Sequence, residues 1–368
     1  MKLGYFLRNN VSRVHQLTRQ FFYWYEYLAW KIFHKNKENS KEIENLLMVN
    51  NNAAIGDAFC SVKIAYNLKL DCPKLTITLV LPEIFAKDFK FLEKPTKLRI
   101  ISEKQLQGNF DASLLFSFTQ YIKDYQANLG VIAGNEYHSI LGSVYPKHYF
   151  FINKKISPKH IHKIEQEKAI ANLLGFKFKE NLSTLSFSNK KSFKENYAVI
   201  HPCGKDFLKT FKEGKIPAYS WEMERFAKIA DYLIENKKLK VIFSGTKEEE
   251  VIIQEIIKKM KNKATIFSDN LENLASLISG AKILIGVDTS IIHIAELTST
   301  PLVVLIGPSF PEVIGAYGNP KQINLFNSVS CSKCRKKGAC PEGKNICMSS
   351  ISVEQVISKI KKLSKIFI

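Results

Sequence analysis

Residues 283–308 read ILIGVDTSIIHIAELTSTPLVVLIGP. An apolar, β-branched run from Ile283 to Val287 stops at Asp288-Thr289-Ser290. A helical pattern follows through Ile291, Ile292, Ala295 and Leu297, and a second apolar strand begins after Pro301. The stretch predicts a strand, a tight turn, a helix and a second strand. In such a unit the turn lies at the carboxyl edge of a parallel sheet, where the free N–H groups and partial positive charge of a helix N-terminus attract an anion. The hydroxyls of Thr289 and Ser290 add donors, so the expected ligand is phosphate or diphosphate, as in the nucleotide part of a larger molecule. A plain N-cap at Asp288 or Thr289 is the alternative reading of the same residues.

Outward from this unit, strand and helix signals alternate along both halves of the chain. Strands are expected near 45–50, 76–81, 98–102, 112–117 and 131–134, then near 197–201, 239–244, 264–267, 283–287 and 302–306, with helices over 220–236, 247–261 and 270–280. Alternation of this kind predicts two doubly wound α/β domains with a cleft between them. The length, 368 residues with 45% hydrophobic side chains, suits two such cores. The expected division is a basic aromatic extension over 1–43, a first domain over 44–185, a second over 190–350 and a last helix over 352–366. That helix opens on a capping box, Ser352-Val353-Glu354-Gln355.

Four segments carry chemistry, and they occur in a fixed order. Ala54-Ile55-Gly56-Asp57 follows a short apolar strand. Ala198-Val199-Ile200-His201-Pro202 leads through a basic loop to Trp221-Glu222-Met223-Glu224-Arg225-Phe226. Residues 241–250 read VIFSGTKEEE, and Asp288-Thr289-Ser290-Ile291-Ile292-His293 precedes Gly307-Pro308. Taken together over roughly residues 45–360, they resemble the I-G-D, H-P-G, K-x-W-P-x-x-x-F and D-T-G-x-x-H … G-P signatures of glycosyltransferase family 9, the bacterial lipopolysaccharide heptosyltransferases. Three departures stand out: Ser290 replaces a glycine, Cys203-Gly204 follows Pro202, and the basic loop is long, with Lys205, Lys209, Lys212 and Lys215 before Trp221.

The resemblance implies a GT-B fold, two Rossmann-like domains facing a central cleft, with the acceptor held by the first domain, the nucleotide sugar by the second, and the last helix packed back on the first. It implies inverting, metal-independent transfer of heptose from ADP-heptose to a Kdo-lipid A type acceptor in the inner core of lipopolysaccharide or lipooligosaccharide. Asp57 would be the general base, a role typically worth ~10²- to 10⁴-fold in rate, with Gly56 beside it toward the acceptor. As an alternative, Asp57 caps a helix over 58–68. Donor contacts would come from Lys215, Glu248, Asp288, Thr289, Ser290 and His293. Lys215 is favoured among the lysines because Ile216-Pro217 follows it. Glu248 would contact the ribose, although Glu249 and Glu250 also suit a solvated acidic turn. Asp288 would orient the donor sugar or the turn, and His293 would reach a phosphate or sugar hydroxyl unless it is a buried, hydrogen-bonded histidine. No D-x-D pair follows a strand, the arrangement expected where a divalent ion bridges a diphosphate.

A net charge of +20 calls for a polyanionic partner. No helix-turn-helix, RNP or zinc-finger spacing is present and the lysines are scattered, so nucleic acid is not expected. An anionic inner-membrane surface fits better. Val14, Leu17, Phe21, Trp24, Leu28 and Ile32 recur at helical spacing among Arg13, Arg19, Lys31, Lys35 and Lys37, which predicts an amphipathic helix at a membrane interface or against the first domain. Arg19, Gln20, Glu26 and Lys31 break every apolar run below the ~20 residues of a spanning helix, and no signal-peptide pattern is present. The expected location is the cytoplasm, peripheral on the inner membrane. Four of the seven cysteines, Cys331, Cys334, Cys340 and Cys347, are close in sequence, a spacing that suits either a structural zinc or free thiols. Two other classes share some of these features: a GT-B-like nucleotide-sugar epimerase and a non-catalytic binder of anionic polymers.

Overall fold

The computed structural model describes residues 43–364 apart from 53, 118–130, 136–138, 141–142, 145–153, 157–160, 188–194, 205, 320 and 336–337. The amphipathic pattern of the first forty residues lies outside the described residues, as does Lys205.

Two six-stranded parallel sheets form the frame. The first contains β1 (Asn45–Val49), β2 (Thr76–Leu81), β3 (Arg99–Ser102), β4 (Ala112–Leu115), β5 (Val131–Asn135) and β8 (Lys154–Ile156), in the order β3-β2-β1-β4-β5-β8. A small antiparallel hairpin, β6 (Ser139–Ile140) with β7 (Ser143–Val144), intervenes in the chain. The second sheet repeats the topology with β9 (Tyr197–His201), β10 (Lys240–Ser244), β11 (Thr265–Phe267), β12 (Ile283–Val287), β13 (Leu302–Ile306) and β14 (Gln322–Phe326), ordered β11-β10-β9-β12-β13-β14. In each sheet the strand order reverses beside its first strand, between β1 and β4 and between β9 and β12. Ligands of doubly wound sheets bind outside the carboxyl ends of strands at such a switch point.

The strands read as unbroken apolar runs because both faces of each sheet are covered. On β1, Leu46 and Met48 enter one core cluster while Leu47 and Val49 enter another. On β12, Leu284 joins the cluster of Leu46, whereas Ile283, Ile285 and Val287 pack with Trp221 and Phe226 on the opposite face. The first cluster is continuous through both domains, since it holds Leu46, Phe59 and Ile100 together with Val199, Leu284 and Val304.

The helices that cover the sheets include α1 (Ile55–Asp71), α2 (Lys163–Asn172), α3 (Met223–Lys237), α4 (Glu250–Lys258), α5 (Leu271–Gly280), α6 (Ile292–Thr298) and α7 (Val353–Ser364). Two of them matter for the site. Helix α1 begins three residues before the expected start, with Ala54 as its N-cap, so Asp57 lies inside the first turn and is not the cap. Helix α6 is short and ends at Ser299, whose φ of 60° is left-handed.

The last helix departs from expectation. Its capping box forms, with the Ser352 N–H donating to Gln355 Oε1 at 2.9 Å and the Gln355 N–H donating to Ser352 Oγ at 3.2 Å. Yet α7 packs on α3 and β13 of its own domain instead of crossing to the first. Its apolar stripe of Val356, Ile360 and Leu363 fills the groove beside Phe226 and Leu233. The segment before it is anchored there by Trp221 Nε1, which donates to the Ile351 carbonyl at 2.9 Å. Among the described residues no helix is long and apolar enough to cross a membrane.

Candidate active site

The two switch points face each other, and Gly56 touches the opposite wall. A Cβ on Gly56 would lie 2.7 Å from His293 Cδ2, 3.1 Å from His293 Nε2 and 3.5 Å from Ser290 Cα. Only glycine allows α1 to approach the 288–290 turn this closely. The I-G-D segment and the D-T-S turn, far apart in sequence, therefore form one locus.

On the first-domain side the loop after β1 is built from asparagines. Asn50 is fully buried, and its Nδ2 donates to the Asp57 carbonyl at 3.0 Å and to Ser61 Oγ at 2.7 Å. Asn52 Nδ2 donates to Asp57 Oδ2 at 3.1 Å. Ser61 passes the bond on to Glu167 Oε1 at 2.8 Å, and the Lys163 ammonium stands 3.7 Å from the same oxygen. Burial pushes Glu167 up to about 8 against the pull of Lys163. Burial also works against the charge on Lys163, but the carboxylates of Asp57 and Glu167 overcome it and hold the ammonium above its usual range. Asp57 thus sits half-buried at the start of a 17-residue helix, with its carboxylate fixed from below.

On the second-domain side Asp288, at the end of β12, is pushed up to about 6 by burial, an effect opposed by a hydrogen bond with Ser309 and by the charge of His293. The Ser309 oxygen also lies 3.2 Å from the Tyr219 hydroxyl. Tyr219 packs on the loop after β9, where a Cβ on Gly204 would meet Tyr219 Cβ at 2.7 Å. Thr289 Oγ1 is buried and has no hydrogen-bond partner among the described residues, a donor left without an acceptor at the switch point. His293 Nδ1 lies 2.6 Å from Glu296 Oε2 and 3.8 Å from Cys60 Sγ. Burial alone would favour the neutral ring, but Cys60 and the paired carboxylate of Glu296 together raise His293 well above its ordinary value.

Gly56, Asp57, Asp288, Thr289, Ser290 and His293 are therefore brought together. Lys215 and Glu248 are placed elsewhere. Lys215 is exposed, pairs with Glu213 at 2.8 Å, and lines a groove of about 600 Å³ with Phe211, Trp221 and Lys344. Glu248 is exposed on the turn after β10, its carboxyl held low by its own backbone N–H and by the Thr246 hydroxyl. Its neighbour Glu249 turns inward and accepts from the Thr246 N–H at 2.8 Å. Tyr219, Ser309, Glu296 and Cys60 were not anticipated. For Tyr219 a signal existed: it stands two residues before Trp221, where K-x-W spacing places lysine.

Cys331, Cys334, Cys340 and Cys347 are all free thiols. They share one corner of the second domain: burial, and to a lesser degree the other three sulfurs, push Cys347 up to about 11. Their loop clamps the segment after Lys215, with the Cys340 N–H donating to the Ile216 carbonyl at 3.0 Å and the Ala218 N–H to the Gly338 carbonyl at 2.8 Å. Among the described residues the set of His, Cys and carboxylate donors gathered within 4.8 Å is instead Cys60, His293 and Glu296. Lys63, buried beside Glu296, makes that set an ion-paired cluster rather than a cation site.

Residues 106–345 match the sequence model of glycosyltransferase family 9 (heptosyltransferase). The match begins after Asp57. Lipooligosaccharide heptosyltransferase 2 of Campylobacter jejuni is 26% identical over 151 residues, 40% of this chain and 48% of that protein. The chain spans about a fifth to a half of the length of the first curated relatives it matches. Among solved structures, the family 9 glycosyltransferase of Veillonella parvula superimposes with a TM-score of 0.68 at 18% identity, over 88% of this chain and 99% of that one. An Escherichia coli heptosyltransferase solved with ADP gives 0.63 at 18% identity, over 87% and 99%. These likenesses establish the GT-B fold.

Proposed function

The chain belongs to glycosyltransferase family 9, and on that premise we propose that it is an inverting, metal-independent heptosyltransferase that moves heptose from ADP-heptose to the inner core of a Kdo-lipid A type acceptor. The observation that supports this reading is the contact of Gly56 with His293 and Ser290, which brings the helix turn that carries Asp57 against the 288–290 turn. In this reading Asp57 takes the proton from the acceptor hydroxyl as its oxygen attacks the anomeric carbon, and ADP departs from the opposite face. The unpartnered Thr289 hydroxyl, Ser290 and His293 take up the charge that develops on the departing diphosphate. Asp288, Ser309 and Tyr219 orient the donor sugar, Glu248 the ribose, and Lys215 the phosphates once its loop is drawn to the cleft. Work would proceed at the cytoplasmic face of the inner membrane, where a net charge of +20 favours an anionic surface.

The thiols of Cys331, Cys334, Cys340 and Cys347 have the donor chemistry of a closed tetrahedral zinc site. A zinc there would staple the loop that clamps residues 216–218, a structural part and not a catalytic one.

The test is ADP release from ADP-heptose by wild type and Asp57→Ala, with EDTA, in the presence and absence of a Kdo-lipid A acceptor. Acceptor-dependent release that survives EDTA and collapses in the variant is expected. Release abolished by EDTA overturns metal independence, and a chain that binds ADP but transfers no heptose requires another nucleotide sugar.

A further inference from the structure

Glu296 is an acid in an expensive place. Its side chain is 1% exposed, and taking an ionised carboxylate out of water costs several kcal/mol unless partners repay it. Both oxygens are engaged: Oε2 with His293 Nδ1 at 2.6 Å, and Oε1 with the Tyr317 N–H at 2.7 Å. The groups around the imidazole come from four elements. Cys60 and Lys63 lie on α1, Asp288 at the turn, Glu296 on α6 itself, and His162 at the start of α2. His162 in turn bonds the Gly315 carbonyl through Nε2 at 2.8 Å and stacks on the Tyr317 ring at 4.6 Å. The carboxylate therefore lies at the centre of a buried polar seam that joins α1 and α2 to α6 and the 315–317 loop.

This arrangement points the imidazole one way. With Nδ1 fixed on Glu296, the opposite edge of the ring faces Gly56, where Nε2 and Ser290 Cα border the same point. We propose that Glu296 is a positioning residue whose ion pair with His293 presents a cationic imidazole edge to the 288–290 turn, where the donor diphosphate is to bind. The inference rests on the nucleotide-site reading above and deepens it, because the cation opposing the diphosphate is then maintained from behind by a residue that never touches substrate. A neutral partner in place of Glu296 would leave the ring free to lose its proton, and a neutral ring makes weaker hydrogen bonds to phosphate than a charged one.

The experiment has two arms. In wild type, ¹⁵N-imidazole NMR at pH 7.5, with His293 assigned by comparison with His293→Gln, is expected to show a doubly protonated ring; a neutral ring overturns the proposal without recourse to any Glu296 variant. In the second arm ADP affinity is measured by calorimetry from pH 6 to 8.5 for wild type and Glu296→Gln, the fold of the variant being checked by its melting transition. The variant is expected to bind about tenfold more weakly at pH 8, as for loss of a charged hydrogen bond, and to regain affinity toward pH 6. A merely structural role would not produce that pH dependence. Wild-type binding that Glu296→Gln matches at every pH overturns this role alone. Failure of wild type to bind ADP overturns the nucleotide-site reading and this role with it.

Discussion

Gly56 and His293 touch across the seam between the two domains, with room for a hydrogen and not for a methyl group. The ring cannot yield easily because Glu296 holds its other side. Gly56→Ala is therefore expected to cost about 1–3 kcal/mol, the usual penalty of an overpacked contact, and to weaken ADP binding along with it. Unchanged melting and unchanged ADP affinity in that variant would show that the two helices do not meet as described.

Asp57 is pinned by Asn52 and lies above the pair Glu167 and Lys163. Asp57→Asn keeps the size and one acceptor oxygen but removes the proposed base. Heptosyl transfer is expected to fall by ~10²- to 10⁴-fold, with ADP affinity within about twofold of wild type because proton abstraction is not part of nucleotide binding. Single-turnover rates and calorimetry separate these, and equal losses in both would assign Asp57 to folding.

Tyr219 reaches Asp288 through Ser309. Tyr219→Phe removes one neutral hydrogen bond, worth roughly 0.5–1.5 kcal/mol, so the donor KM is expected to rise about two- to tenfold while kcat changes less. A drop confined to kcat would argue for a role in the reaction step instead.

His201 gives a pH signature. It is buried at the end of β9, its Nδ1 lies 3.1 Å from Ser244 Oγ, and burial pushes the ring down to about 4. Between the unfolded value near ~6.5 and that folded value, the native state binds fewer protons than the unfolded chain. Stability from this group is thus present above the window and lost as pH falls through it, by at most roughly 1.4 kcal/mol per pH unit. Urea melts at pH 7 and pH 5 should show wild type losing more than His201→Gln; equal losses would contradict a neutral buried ring.

The Cys331, Cys334, Cys340 and Cys347 corner is expected to carry one zinc per chain as purified, measurable by atomic emission and released by a mercurial. Cys340→Ser should lose the metal and lower the melting temperature. Four thiols titrating freely in the native protein, with no metal, would leave the corner as plain reduced cysteine.

The strand, turn, helix and strand of residues 283–308 were legible because buried parallel strands read as continuous apolar runs, and β12 and β13 are entirely buried. β14 was not, since Gln322 and Asn324 interrupt an edge strand that is half-covered. β8, an edge strand with two lysines in three residues, was not legible either. The early start of α1 was missed because no side chain caps it. In the site, Gly56, Asp57 and the 288–293 segment were legible from local turn chemistry. Cys60 and Glu296 were not, because a buried acid acquires its meaning only from what a distant element packs against it. The spacing of His293 and Glu296, three apart on one helix, was visible, but that pair is as common on a solvated face. The placement of α7 turned on tertiary fit, which its own amphipathic pattern does not encode.

One consequence of the continuous core cluster concerns motion. Leu46, Phe59, Leu284 and Val304 belong to a single apolar body, and the polar seam of Glu296, His293, Lys63 and Tyr317 crosses the same boundary. A hinge that swung the sheets apart would have to tear both at once. The seat of α1 on the 288–293 segment is therefore set when the chain folds. On the proposed function, discrimination among sugar nucleotides would then fall to the loops around the contact of Gly56 with His293.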